Sequence, residues 1–369
     1  MRLKSKIRIF ALLLVVFAAC EYPLPVKTPG VTNQLVVDGF ISTDDGPYTV
    51  NLYITRPLEA QLDQSTELIA ESKATVYIKD DQGNSELLTE TETGIYQTSP
   101  DGIKGQTGRS YHVDITTSAG KRYSSTPEEI LPVGHITNLT YEYEPRDETI
   151  GTDYFRVFVD AEGAENFNDL IRFRMVGTYE IETHPELATK TVNGEVLPAP
   201  WPCSGYIVYD TYYIRQVAPC ECCFCWINEY NDVPALADEQ LNNNLFNKVE
   251  VGKVPINQRT FYNKYRVEVQ QLSLTPESYQ FWKLIRAQKL GTNDLFQPAF
   301  GKVEGNIVSV DSDEQALGIF WAAGVNKKAI YINRSDVPYE VEPIDPVTLP
   351  CTYWDYIRST GIKPSFWMD

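Results

Sequence analysis

Seven cysteines hold the most reactive chemistry legible in this chain of 369 residues. Four of them, Cys220, Cys222, Cys223 and Cys225, crowd into the segment PCECCFCW at 219–226, with Cys203 upstream and Cys351 far downstream. Thiols at this density either oxidise in pairs or act together as thiolate ligands for a soft metal. A structural zinc site usually draws on two separated ligand pairs, and no histidine lies beside this cluster. Six cysteines in an exported chain therefore predict disulfides, with metal chelation as the alternative. Sequence neighbours such as Cys222 and Cys223 rarely pair with each other, so cross-links from the cluster to Cys203 and Cys351 are favoured. A bridge to Cys351 closes a loop of more than a hundred residues, a constraint worth up to about 4 to 5 kcal/mol.

The seventh cysteine, Cys20, sits in a different context. Arg2, Lys4, Lys6 and Arg8 precede a short apolar run from Ile9 to Phe17, and Ala18 and Ala19 then lead into the cysteine. The run has the length of a signal-peptide core and is too short to span a bilayer. Residues 1–19 are thus expected to be a lipoprotein signal peptide. Diacylglycerol would be attached to the Cys20 sulfur, and cleavage would leave Cys20 as the new amino terminus. Residues 20–33, with Pro23, Pro25, Pro29 and Gly30, read as an extended tether. It would reach roughly 40 Å at about 3.3 Å per residue.

Catalytic signatures are missing from the sequence. The three histidines, His112, His135 and His184, belong to no zinc helix, and there is no nucleophile elbow or phosphate-cradling glycine loop. Asp311, Asp313 and Glu314 lack calcium-loop spacing and read as solvated turn acids. Paired carboxylates converge only in three dimensions and are invisible at this level. No catalytic residue, cofactor or metal is expected.

The elements that would position these cysteines are strands. Tyrosine is abundant at 23 residues and aromatics make up 12% of the chain, which with many Thr and Val favours β structure. Residues 34–132 contain about seven short alternating segments separated by turn signals, among them 48–55, 73–79 and 111–116. That pattern predicts an immunoglobulin-like sandwich. Residues 133–350 predict a second β-sandwich-like domain, with alternation at 154–160, 170–176 and 265–272. It would carry a long cysteine-containing insertion at 178–250 and one helix at 276–290. Thr275 is the N-cap candidate, Pro276 fits the first turn, and Gly291 stops the helix. Tyr279, Trp282, Ile285 and Leu290, flanked by Phe281 and Leu284, form a core stripe expected to pack on the second sandwich. Residues 351–369 form a tail. The formal net charge of −18 becomes −22 once the four basic residues of the signal are removed. Such a surface argues against nucleic acid as a partner.

Several segments together carry a family resemblance: QLVVDG at 34–39 with GPYTV at 46–50, LTPESYQFW at 274–282, GNI at 305–307, LGIF at 317–320 and KPSFW at 363–367. On these the chain resembles the Bacteroidota outer-membrane lipoproteins grouped as domain-of-unknown-function family 4249, over nearly its whole mature length. The resemblance implies an outer-membrane location through lipid on Cys20 and frequent genetic proximity to TonB-dependent transporters. It implies no established activity. Relatives also place cysteines near the closing Phe-Trp, where this chain offers Cys351. Acidic residues soon after the lipidated cysteine tend to direct surface display, and only Glu21 precedes Lys27, so the periplasmic and surface-facing sides both stay open. The resulting expectation is a non-enzymatic binding or accessory lipoprotein beside such a transporter. A structural or adhesive surface protein is the alternative, and a hydrolase the third.

Overall fold

The computed structural model describes residues 33–55, 69–146, 151–165, 170–231, 233–237, 241–242, 244–291, 303–312, 314, 316–342, 346–353 and 359–368. The signal peptide, Cys20 and the tether through residue 32 lie outside the described residues. The chain is mainly β, as its composition predicts, and folds as two sandwiches joined by one helix.

In the first sandwich, one sheet runs in the order Leu317–Ala323, Leu35–Ser42, Thr49–Ile54, Ile95–Gln97, Thr89–Glu92, with Ile69–Ala70 added beside Thr49–Ile54. The facing sheet runs Ile307–Ser309, Arg122–Ser125, Ser110–Thr116, Thr75–Asp80, Ser85–Leu87, with Glu128–Glu129 beside Ser110–Thr116. Side chains alternate between faces with a period of two, so Val37 and Ile41 from one sheet meet Ile78, Val113 and Ile115 from the other in a shared core.

This sandwich does not end at residue 132, as the sequence suggested. Its opening strand pairs in parallel with Leu317–Ala323, from Val36 opposite Leu317 to Ser42 opposite Ala323, and Ile307–Ser309 closes the facing sheet against Arg122–Ser125. Parallel strands need long connections rather than a hairpin, so no local turn marks the partnership. The GNI and LGIF segments explain themselves here. Asn306 Nδ2 donates to the Phe320 carbonyl at 2.6 Å, and Phe320 N–H donates to Asn306 Oδ1 at 3.0 Å. One side chain thus stands in for a strand partner. Gly318 has φ +86°, and a Cβ there would lie 1.9 Å from the Val37 carbonyl oxygen, a position only glycine tolerates.

The second sandwich faces a sheet of His135–Glu144, Tyr154–Glu162, Leu245–Pro255 and Leu241–Asn242 with a longer one. The longer sheet runs Val325–Asn333, Lys264–Ser273, Ile171–Glu182, Phe224–Tyr230, Ser359–Thr360, and Ala235–Leu236 joins it beside Ile171–Glu182. Phe155, Val157, Phe173, Phe246, Val267 and Val269 fill its core, with Phe173 edge-on to Phe246 at 5.9 Å. The expected insertion at 178–250 is therefore too wide. Ile171–Glu182, Phe224–Tyr230 and Leu245–Pro255 are all sandwich strands, and the true projection is 183–223. The tail is not separate either: Ser359–Thr360 pairs with Trp226 and Ile227, and Trp367 is buried against Tyr331.

The helix Pro276–Gly291 forms where its caps predict. Ser278 N–H donates to Thr275 Oγ1 at 3.2 Å, satisfying one of the orphan donors of the first turn. Its packing differs from the expectation. Tyr279, Phe281, Trp282 and Ile285 meet Leu272 and Leu274 of the second sandwich but also Ile319 and Trp321 of the first, while Leu284 and Leu290 are exposed. The helix is a wedge at the junction. Glu128 of the first sandwich fixes its start, accepting from Thr275 Oγ1 at 2.6 Å and Ser278 Oγ at 2.8 Å.

Candidate functional site

The six downstream cysteines pair completely: Cys203 with Cys222, Cys220 with Cys223, and Cys225 with Cys351, at Cα separations of 5.7, 5.8 and 5.7 Å. All six thiols are consumed by sulfur pairing. Among the described residues no group of His, Cys, Asp and Glu is placed to hold a metal ion. Two of the bridges tie the cluster to Cys203 and Cys351, the partners that sequence reasoning favoured. The short Cys220–Cys223 link within the cluster was not anticipated.

The bridges staple the base of the 183–223 projection. Thr183 N–H donates to the Cys223 carbonyl at 2.7 Å, Glu221 N–H to Cys203 at 2.9 Å, and Cys351 N–H to Cys222 at 3.1 Å. Above that base stand two small hairpins, Thr189–Val192 with Glu195–Pro198 and Tyr206–Asp210 with Tyr213–Gln216. Neither joins a larger sheet, so their side chains have little to bury against. Val196, Ile207, Val208, Tyr209, Tyr212, Tyr213 and Val217 are all exposed, Tyr209 to 58%. The Tyr212 hydroxyl bonds the Glu195 carboxylate and ties one hairpin to the other. A cluster of apolar and aromatic side chains held out on a cross-linked base is the kind of exposed patch that marks an interaction site.

The histidines do not converge. His112 lies 3.9 Å from Asp114, His135 3.6 Å from Glu162 and His184 3.0 Å from Glu186, each on its own element with an acidic neighbour. The acidic turn is spent on ion pairs: Glu314 takes Lys121 at 2.7 Å and Asp311 takes Arg122, while Asp313 lies outside the described residues.

A second feature lies between the sandwiches, a cleft of about 640 Å³ whose walls come from both and from the helix. On Ile171–Glu182, Phe173 and Met175 point into the core, so Arg172 and Arg174 point from the opposite face, into this cleft. The sequence shows the alternation at 170–176 but assigns these arginines no role. The second body covering that face gives no local sign. The Arg172 guanidinium lies 3.6 Å from the centroid of the Trp282 ring and 5.3 Å from that of Trp321, a cation–π stack. Phe40 stacks on Trp321 at 4.2 Å and carries Arg174 above it at 5.1 Å. Arg174 donates through Nε and Nη2 to Gln270 Oε1 at 2.8 and 2.5 Å.

Arg172 is only 9% exposed, and among the described residues neither its Nε–H nor the buried indole N–H of Trp282 has an acceptor. Neither arginine reaches a carboxylate within ion-pair distance there either. Burial pulls the Arg172 pKa down to about 9, with the charge of Arg174 adding to the fall and Asp38 opposing it. The guanidinium therefore remains a cation at neutral pH. Burial also lowers Arg174, against the pull of Tyr230 and Asp38.

Fold and surface together define the class: a tandem β-sandwich protein with a disulfide-stapled projection and an arginine-lined cleft between its halves. The chain belongs to the family described as Domain of unknown function (DUF4249), whose model matches residues 21–329 and so takes in the first sandwich, the projection and the second sandwich up to its C-terminal strands. No curated protein matches it.

Proposed function

We propose that the protein is a non-enzymatic accessory lipoprotein of the outer membrane, held there by lipid on Cys20, which docks through its 183–223 projection onto a TonB-dependent transporter. The observation that carries this reading is the set of exposed tyrosines and aliphatics on two small hairpins whose base is locked by disulfides. Tyrosine supplies large contact area with few rotatable bonds, and aromatics are enriched at interface hot spots. Covalent stapling settles the ordering cost at folding rather than at binding, which favours association. The lipid on Cys20 would confine the projection to the plane where such a transporter sits, raising its effective concentration.

Copurification from native membranes tests the proposal. A transporter should be recovered with the wild-type protein and lost when Tyr209, Tyr212 and Tyr213 are together changed to Ser, with folding intact by circular dichroism. Cys20→Ala should release the protein from the membrane fraction. Repeated recovery with no transporter would overturn the partnership and leave the structural or adhesive role, which would use the same face.

A further inference from the structure

The cleft between the sandwiches plays no part in transporter docking as proposed, and its chemistry points elsewhere. Burying a guanidinium without an anionic partner is costly. The stack on Trp282 and Trp321 offsets part of that cost but satisfies no N–H. Among the described residues two buried donors, Arg172 Nε–H and Trp282 Nε1–H, lack acceptors, and both belong to residues lining the same cavity. A lone unsatisfied donor is a packing fault. Two beside a cation in a cavity of ligand size are a site built for an acceptor.

The rest of the wall narrows the chemistry. Asp38, Asn51 and Gln97 line the cleft opposite the arginines, and Asp44 and Asp45 stand at its edge. Asp44 is neutralised by Lys327 at 2.8 Å and Asp45 by Lys104 at 3.1 Å; among the described residues Asp38 has only a 3.5 Å bond from the Asn51 amide. A doubly charged phosphate monoester would meet the Asp38 carboxylate less favourably than a singly charged group. A single carboxylate satisfies the guanidinium and the indole while adding one negative charge. Asp38, Asn51 and Gln97 then offer the carboxylate and amide groups that bond hydroxyls. We infer that the cleft binds a carboxylated sugar, its carboxylate on Arg172, Arg174 and Trp282 and its hydroxyls on Asp38 and the neighbouring amides.

Calorimetry on the full-length protein in detergent tests this, with galacturonate as the probe and neutral galactose, galactose 6-phosphate and a tripeptide with a free carboxylate as comparators. Galacturonate should bind with a Kd below about 1 mM, weaken with added salt, and exceed the neutral sugar by at least about tenfold. Arg174→Gln should lower that affinity by roughly tenfold or more, the scale of one charge-assisted contact, with the protein still folded and melting cooperatively. Arg172→Lys, which keeps the charge but loses the planar donor, should do the same. Equal binding of the neutral sugar, preference for the phosphate or the peptide, or no binding of galacturonate would each overturn the inference. None of these results depends on whether a transporter copurifies, so the two proposals fail separately.

Discussion

Breaking the bridge between Cys225 and Cys351 should destabilise the protein far more than breaking either of the other two. In the chain-entropy description a cross-link removes denatured-state freedom that grows with the logarithm of the loop. The sequence separations are 126 residues for Cys225–Cys351, 19 for Cys203–Cys222 and 3 for Cys220–Cys223. These translate into about 5, about 3 and somewhat under 2 kcal/mol at 25 °C. Cys225 and Cys351 are also fully buried in the second core, so truncating each sulfur, roughly methylene-sized, adds about 0.8 kcal/mol. A Cys225→Ala, Cys351→Ala variant should therefore lose about 6.5 kcal/mol, comparable with the whole stability of many domains. Urea unfolding followed by tryptophan fluorescence reads this directly, because buried Trp226 adjoins Cys225. The tail should loosen first. Its strand Ser359–Thr360 rests on Phe224–Tyr230, so limited proteolysis should cut the variant C-terminal to residue 351 before the sandwich unfolds. If the double variant costs no more than Cys220→Ala with Cys223→Ala, the reasoning is wrong: the long loop is then already restrained in the denatured chain.

Three further outcomes follow from single residues. Burial raises the Glu128 carboxyl above its ordinary 4.5 despite hydrogen bonds from Thr275, Ser278 and Asn306 that pull it down. The folded state then holds this proton more tightly than the unfolded one, so stability from this group is greatest below pH 4.5 and falls as pH rises through the raised pKa; Glu128→Gln should flatten that part of the stability–pH curve. Gly318→Ala places a methyl against the Val37 carbonyl in a left-handed backbone and should cost at least about 2 kcal/mol in chemical denaturation, a cost below about 0.5 refuting the parallel pairing. Asn306→Ala strips both partners from the buried Phe320 backbone and should cost roughly 2 to 6 kcal/mol on the same assay, at about 1 to 3 per orphaned group.

The sequence discloses local order well and assembly poorly, and the reasons are physical. Residues 48–55 alternate because one face is wet, and the strand Thr49–Ile54 lies there with Val50 and Leu52 buried. Thr275, Pro276 and Glu277 announce a helix because capping is a contact between near neighbours. The parallel partner at Leu317–Ala323 leaves no such trace, since its contact with Leu35–Ser42 spans the whole chain. Around Cys225 the alternation vanishes: Cys225, Trp226 and Ile227 are all buried, so a sandwich strand passed for part of an insertion. The cleft was hidden for the opposite reason. Arg172 and Arg174 keep strict alternation, and only the arrival of the helix and the first sandwich converts their face from solvent to cavity.

That arrival is enforced by the backbone itself. Leu317–Ala323 belongs to the first sandwich and Val325–Asn333 to the second, with Gly324 alone between them. Gly324 N–H donates to Ser273 Oγ at 2.9 Å, Ser273 N–H returns to the Gly324 carbonyl at 3.1 Å, and Ser273 Oγ donates to Leu131 at 2.7 Å. A Cβ at position 324 would come within 2.6 Å of the Leu131 carbonyl, so the crossing admits no bulk. Thr43 adds a second clasp, its N–H on the Ala323 carbonyl at 3.2 Å and its hydroxyl accepting from Val325 N–H at 2.9 Å. Two bodies joined through one hydrogen-bonded residue, two strands of one continuous segment and a wedged helix have little freedom to hinge. The walls of the cleft are accordingly held in place before any ligand arrives. A preformed site loses little affinity to reorganisation, so its occupant should bind with backbone shifts below about 1 Å and raise the unfolding temperature of both sandwiches together.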